Sequence, residues 1–315
     1  MKKITLFVTF LFMAIYSTVS FSESKTINIG FQKGNIFALL KFKGVLEPEF
    51  KKHNVNIRWI EFAAGPQMLE GLNVGSIALA ATGDAPPIFA QAAQADFVYL
   101  GHSPANPRTE ALVVHDKSSI KSVSDLKGKR VALNKGSDVN YLLVAALQRA
   151  GLNYNEITPV YLPPSDARAA FEKGVVDAWA IWDPFLAEVQ TNLPVREIVN
   201  GENLVPHYTF FLASRDFAEK TPQYAEIIIE QLKQQSEWGN ANKAETAGIL
   251  SASTGLDKAI WLKALQRSNY GFIRMTDAAF AEQQNIANIF AKIRLIPESI
   301  DVKKGQWSAD IKENK

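Results

Sequence analysis

Seven neutral hydrogen-bonding side chains, Gln32, Asn35, Gln67, Thr82, Ser137, Asn140 and Tyr208, fall at turns or in the first turn of an expected helix. No nucleophile stands beside a base in the pattern. The 315 residues include no cysteine, and the four histidines, His53, His102, His115 and His207, are not at metal-ligand spacing. Neutral donors that converge with helix N-termini suit an anion that never takes a proton, because no charge has to be buried against it. A sulfonate or a nitrate meets that condition better than a cation does. Neither a metal nor another cofactor is expected.

Two junctions would carry these donors. In Ile77 to Gln94 an apolar run stops at Thr82-Gly83-Asp84, and Pro86-Pro87 then opens a run with helical spacing. The order is strand, tight turn, helix. In open α/β domains small ligands bind at such places, where strand ends and helix N–H groups share one crevice. The second junction ends in Trp182-Asp183-Pro184. Gly75 and Asp84 are nine residues apart, as are Gly174 and Asp183, and proline follows closely in both cases. This recurrence predicts two similar lobes that close on a small ligand by a hinge.

Asp84 and Asp183 join the lining on this reading, with helix capping as the expected work of their side chains. A carboxylate free in the crevice would instead repel a sulfonate and attract the ammonium of an amino-sulfonate. Trp179 and Trp182, three apart in a strand, point to opposite faces, and Trp182 at the strand end is the expected wall of the crevice. Lys135 is expected in solvent. Trp59, Trp238, Trp261 and Trp307 read as packing residues.

The elements that hold these junctions follow an alternating β and α pattern. Thr26 to Gly30 and Val55 to Phe62 alternate as strands, with a long amphipathic stretch from Ile36 to about Lys52 between them. Helix and strand patterns continue through Phe97 to Gly101, which predicts a mostly parallel, doubly wound sheet. From Ala111 the chain crosses into a second unit with the same pattern. Tyr208 to Ala213 reads as a strand returning to the first. Residues 23–112 with 212–315 would form one discontinuous lobe and 113–211 the other.

Composition agrees with a soluble two-lobed protein. Hydrophobic residues make up 47% and charged residues 21%, and a net charge of +2 with no basic stripe argues against nucleic-acid binding. At the N-terminus Lys2-Lys3, the apolar run Ile4 to Tyr16 and Ser20-Phe21-Ser22 form a signal-peptide pattern over residues 1–22. That run is shorter than the roughly 20 residues of a membrane span, so export with cleavage near Ser22 is expected. A chain this long folds by burial without disulfides.

Four stretches also carry a resemblance. Gln32-Lys33-Gly34, Glu61-Phe62-Ala63-Ala64-Gly65-Pro66-Gln67-Met68-Leu69-Glu70, the run from Thr82 to Ala92, and Asp177-Ala178-Trp179-Ala180-Ile181-Trp182-Asp183-Pro184 resemble the periplasmic aliphatic-sulfonate-binding proteins of ABC importers. Each motif alone is shared with taurine, nitrate and thiamine-precursor binders. In combination they are specific, and the resemblance runs from about Thr26 to Ile300. The resemblance implies a type II periplasmic binding fold with two crossovers, a ligand between the lobes, and delivery to a membrane permease and its ATPase by a monomer. It also implies a sulfonate pocket from Gln32, Gln67, Thr82, Gly83, Ser137 and Trp182. Ser268 to Met275 reads less like the family pattern, which leaves open a contact from this segment. An enzyme on the same fold, such as a sulfinate desulfinase, is the competing reading; those enzymes use a cysteine nucleophile, which this chain lacks.

Overall fold

The computed structural model describes residues 25–309, so the signal segment and the polar residues from Asp310 to Lys315 lie outside the described residues. β1 (Lys25–Phe31) leads into α1 (Ile36–Lys43), α2 (Leu46–Lys51) and β2 (Val55–Glu61), which pairs with β1 in parallel. The stretch expected as one amphipathic helix is thus two. Gly44 takes a left-handed φ of 62° and its N–H closes onto Leu40 and Lys41 carbonyls, which ends α1. Asn35 starts that helix, its side chain accepting from Phe37 N–H. Next come α3 (Gly65–Asn73), β3 (Leu79–Thr82), α4 (Ala85–Ala92) and β4 (Phe97–His102).

The chain then crosses at β5 (Glu110–His115) and repeats the pattern in β6 (Arg130–Leu133), α5 (Asp138–Arg149), β7 (Thr158–Tyr161), α6 (Pro164–Glu172), β8 (Ala178–Trp182), α7 (Phe185–Asn192) and β9 (Val195–Asn200). It returns in β10 (Phe210–Ser214), which begins two residues later than the pattern of Tyr208 to Ala213 suggests. Five helices follow: α8 (Arg215–Lys220), α9 (Pro222–Ala241), α10 (Lys243–Thr254), α11 (Lys258–Gln266) and α12 (Asp277–Lys292). Among the described residues no helix is long and apolar enough to cross a membrane.

The strands form two five-stranded sheets, ordered β2-β1-β3-β10-β4 and β7-β6-β8-β5-β9. These are one pattern used twice, with β3 and β8 at the same place in each. The sheets are mixed rather than mostly parallel. β10 runs antiparallel to β3 and β4, and β5 runs antiparallel to β8 and β9. The reason lies in direction: β3 and β8 end at the crevice, while the two crossing strands begin there. Phe210, the first residue of β10, therefore pairs with Thr82, the last of β3, and Glu110 pairs with Trp182 in the same way. This mixed two-sheet arrangement, with two crossovers, is the type II periplasmic binding fold.

Alternation along the strands of the first sheet sorts side chains onto two faces, each with its own core. Leu79, Ala81, Phe211 and Ala213 join the layer under α1, α9 and α10, while Ala80, Phe210 and Leu212 join the one under α3, α4 and α12. The second of these layers is continuous with the β6 side of the other sheet, through Leu112, Val131, Leu133 and Leu142. Phe290 of α12 links the lobes there, with Phe89 of α4 at 5.2 Å and Tyr141 of α5 at 6.1 Å between ring centres.

Candidate functional site

Between the sheets lies a cavity of 110 Å³. Five of the residues expected in the site line it: Gln32 from the turn after β1, Thr82 and Gly83 at the end of β3, and Trp182 and Asp183 at the end of β8. The lobes touch here. A Cβ on Gly83 would lie 1.9 Å from the Asp138 carboxylate across the crevice, and one on Gly34 would lie 2.8 Å from the Asp183 carbonyl. Both glycines are set by this close approach and not by an unusual φ. Asn35, another expected donor, also lines the cavity, but its amide is committed: Nδ2 donates to the Ala81 carbonyl at 3.0 Å and Oδ1 accepts from Phe37 N–H. It ties the start of α1 to β3.

The structure leaves four expected residues outside the cavity wall. Gln67 is exposed in the first turn of α3. Ser137 is buried at the start of α5, and its hydroxyl donates to the Asn134 carbonyl at 2.7 Å without capping the helix. Tyr208 is half-buried, edge-on to His102 with 4.9 Å between ring centres. Asp84 is 1% exposed and points both carboxyl oxygens where no partner meets them. Asn140, also read as a site donor, is wholly buried, accepting from Gly136 N–H and donating to the Tyr154 hydroxyl.

The two aspartates answer the capping expectation differently, and only Asp84 corrects it. Asp84 stands at the N-cap position of α4 with helical backbone angles (φ −79°, ψ −33°), so its side chain is swung away from the helix N–H groups and makes no cap. Asp183 does cap, since Oδ1 accepts from Ala187 N–H at 3.0 Å. It also takes a two-pronged ion pair from Arg267, with Nε and Nη2 each 2.7 Å from a carboxylate oxygen. Arg267 closes α11, which packs on α7 through Ala264, Ile260 and Ala187. The pair therefore clasps the C-terminal helices to the second lobe. Burial raises the Asp183 pKa and the guanidinium opposes that rise.

Beside Asp84 sits a buried charge cluster that the residue pattern did not reveal. Thr109, Asp138 and His207 line the cavity, and Glu110 is buried behind them. The Thr109 hydroxyl donates to the Asn106 carbonyl at 2.7 Å, so at 2.8 Å it accepts from His207 Nδ1–H. His207 Nε2 faces Asp138 Oδ2 at 3.4 Å, which places a proton there as well. His207 is thus an imidazolium. Burial alone would lower its pKa, but Glu110, Asp138 and Asp84 outweigh that and hold it at about 10. Burial, with Asp138 and Glu110 nearby, pushes Asp84 well above the carboxylate range, and burial lifts Glu110 to about 7 despite the attraction of His207. No hydrogen bond in the structure supports the ionised form of Asp84 at its carboxylate oxygens, which leaves burial and the two neighbouring carboxylates to favour protonation.

The C-terminal stretch whose contact the sequence leaves open lines the cavity. Ser268, Asn269, Tyr270 and Gly271 form one wall. Asn106 holds them there, accepting from Asn269 N–H at 2.7 Å and donating to its carbonyl at 3.1 Å. The Tyr270 hydroxyl is buried without a hydrogen-bond partner among the described residues. Trp261, read as packing, is buried and reaches the same wall. Trp179 is core, and Lys135 lies over the Tyr161 ring at 5.6 Å, outside the cavity wall. No group of three His, Cys, Asp or Glu among the described residues is placed to hold a metal ion.

Comparison with known proteins agrees with this architecture. Residues 50–238 match the family described as NMT1/THI5 like. A putative aliphatic sulfonates-binding protein of Escherichia coli K12 is 39% identical over 305 residues, covering 96% of this chain and 95% of the relative. One of the same description from Bacillus subtilis 168 is 32% identical over 283 residues, covering 89% and 85%. Among solved structures, the alkanesulfonate-binding protein SsuA of Xanthomonas axonopodis pv. citri bound to MOPS superposes with a TM-score of 0.86 at 38% identity, covering 91% of this chain and 99% of its own. By sequence match, sheet order and the paired junctions at Thr82 and Trp182, the chain belongs to the NMT1/THI5-like family and, within it, to the aliphatic-sulfonate-binding proteins.

Proposed function

We propose that the chain is the periplasmic solute-binding component of an ABC importer and captures aliphatic sulfonates between its lobes for sulfur acquisition. On this reading residues 1–22 direct export, residues 23–112 with 212–315 form one lobe and 113–211 the other. The loaded monomer then meets a membrane permease and its ATPase. The observation that carries the proposal is the cavity's mixture of neutral donors with one imidazolium. Gln32, Thr82, the Gly83 backbone and Tyr270 surround the space, and His207 adds a positive charge already balanced by Asp138. A permanently ionised oxyanion gains hydrogen bonds and a nearby cation there without having to lose a proton.

Titration calorimetry with alkanesulfonates, taurine, sulfate and nitrate tests this. Heat with alkanesulfonates and little with sulfate is the expected result; no heat with any alkanesulfonate would remove the reading. Preference for taurine or nitrate would move the chain to a sister specificity. Thr82→Val should weaken sulfonate binding by about 1–3 kcal/mol, since an anion oxygen would lose a donor in a buried site. Unchanged affinity would place the anion elsewhere.

A catalytic alternative has one geometric attraction, because Thr109, His207 and Asp138 lie in a row like a nucleophile, a base and its orienting acid. The protons run the wrong way for that work. The Thr109 hydroxyl accepts from the imidazolium, which has no free nitrogen to act as a base. Binding without chemistry is the function proposed.

A further inference from the structure

Beside the polar cavity three carboxyl groups and one imidazolium converge from four separate segments. Asp84 follows β3 of the first sheet, whereas Glu110 opens β5 and Asp138 opens α5 in the second, and His207 lies on the link into β10. Both oxygens of Asp84, Oε2 of Glu110 and Oδ1 of Asp138 are buried without a hydrogen-bond partner among the described residues. His207 is the cation set against them, and it faces Asp138 Oδ2. It also acts on Asp183, which Arg267 grips. The elements packed around the cluster add Tyr141 from α5, Tyr208 from the link, Tyr99 and His102 from β4, and Gln283 with the exposed Glu282 from α12. Burial holds His102 below its ordinary pKa and the three tyrosines above theirs, so none of these four changes charge between about pH 7 and 8.5.

We propose that this cluster is a proton site coupled to the anion site, with Glu110 taking a proton from solvent as a sulfonate binds between the lobes. The inference rests on the sulfonate reading above and adds a second bound species to it. Gly83, one of the groups that would hold the anion, touches Asp138 so closely that a Cβ there would lie 1.9 Å from the carboxylate. A sulfonate at Thr82 and Gly83 therefore sets a permanent negative charge against a cluster whose imidazolium is already matched by Asp138. The sulfonate itself takes no proton near neutral pH. Glu110 can: burial lifts its pKa to about 7, and a further like charge nearby keeps it protonated to a higher pH. His207, held at about 10, carries its proton before the sulfonate arrives, and burial with the same neighbours already favours the protonated form of Asp84. That leaves Glu110 as the acceptor near neutrality. Affinity is then greatest below the ligand-free pKa of Glu110 and is lost as pH rises through the higher value of the complex.

The test is calorimetric titration of the full mature chain with butanesulfonate at about pH 7.5 in bicine, imidazole and Tris buffers, none of which carries a sulfonate. The observed heat should change linearly with the ionisation enthalpy of the buffer, with a slope of at least about half a proton taken up per sulfonate. Affinity should fall about tenfold from pH 7 to 8.5, a range in which the ligand does not titrate. Infrared difference spectra should gain the carbonyl band of a buried, protonated carboxyl when butanesulfonate is added, a reading that needs no variant. In Glu110→Gln the proton uptake, the new band and the pH dependence of affinity should all be lost. Heats that do not depend on the buffer would overturn the proton site while leaving the sulfonate reading intact. So would an uptake that survives in Glu110→Gln. No heat with any alkanesulfonate would remove the sulfonate reading and this inference with it.

Discussion

At the end of β3 the Asp84 carboxyl is buried with no hydrogen-bond partner on either oxygen, whereas at the end of β8 the Asp183 carboxylate holds Arg267 by two contacts and Ala187 N–H by a third. The two residues occupy the same place in lobes built alike. Their local sequences are alike too, each with an apolar strand before and proline close behind. What differs is what arrives from elsewhere. Arg267 reaches Asp183 from the C-terminal helices, which have no counterpart after the second sheet. Asp84 instead faces Asp138 and Glu110, whose like charge joins burial in favouring its neutral form. A carboxyl at a strand-to-helix junction therefore stays ionised where a guanidinium grips it by two contacts, and is pushed toward its neutral form where burial and two like charges outweigh the one imidazolium nearby.

The largest effect should come from the clasped side. Asp183→Ala leaves Arg267 buried with the neutral Gln190 side-chain oxygen at 3.0 Å and the more distant Glu197 carboxylate at 3.7 Å, and should lower the unfolding free energy by about 3–5 kcal/mol. Chemical denaturation of this variant beside Asp84→Asn would break the comparison if the two lost equal stability. Asp84→Asn replaces one unpartnered neutral group by another and should stay within about 1 kcal/mol of wild type at neutral pH.

Next in size is the contact between the jaws. Gly83→Ala sets a methyl group on the Asp138 carboxylate and should hold the lobes apart, weakening ligand binding by at least about 1.4 kcal/mol, or tenfold. A titration showing wild-type affinity would mean that the closed contact is not the binding state. Gly34→Ala, which meets the Asp183 backbone on the other side, should behave the same way and reports on the second jaw.

The prediction that sharpens the contrast most is pH dependence. Asp84, Glu110 and His207 all have raised pKa values, so each prefers its protonated form more in the folded chain than in the unfolded one. Stability from each is complete below the unfolded pKa and is lost as pH rises through the folded one. For Glu110 that window runs from 4.5 to about 7, and for His207 from 6.5 to about 10. Thermal melts should therefore fall as pH is raised across these windows. Asp84→Asn should flatten part of the slope, and an unchanged slope would show that Asp84 is ionised after all.

The motifs at Thr82-Gly83-Asp84 and Trp182-Asp183-Pro184, nine residues after matching glycines, were enough to reveal two like lobes and a crevice between them. Periodicity and punctuation are local properties, and the strand-to-helix junctions depend on little else. The antiparallel course of β5 and β10 was not legible, because strand direction depends on which end of the sheet the chain enters. Nor was the split at Gly44, where one left-handed residue divides an unbroken amphipathic pattern.

By itself, then, the sequence determined the fold class, the positions of both jaws and the neutral character of Gln32 and Thr82, since all of these are written in neighbouring residues. Only the tertiary structure decided which carboxyl is charged. It brought His207, Asp138 and Thr109 into one cluster from three separate segments, and it sent Arg267 to Asp183 from 84 residues away. Protonation depends on burial and on charges within a few ångströms, and those distances exist only once the chain has folded.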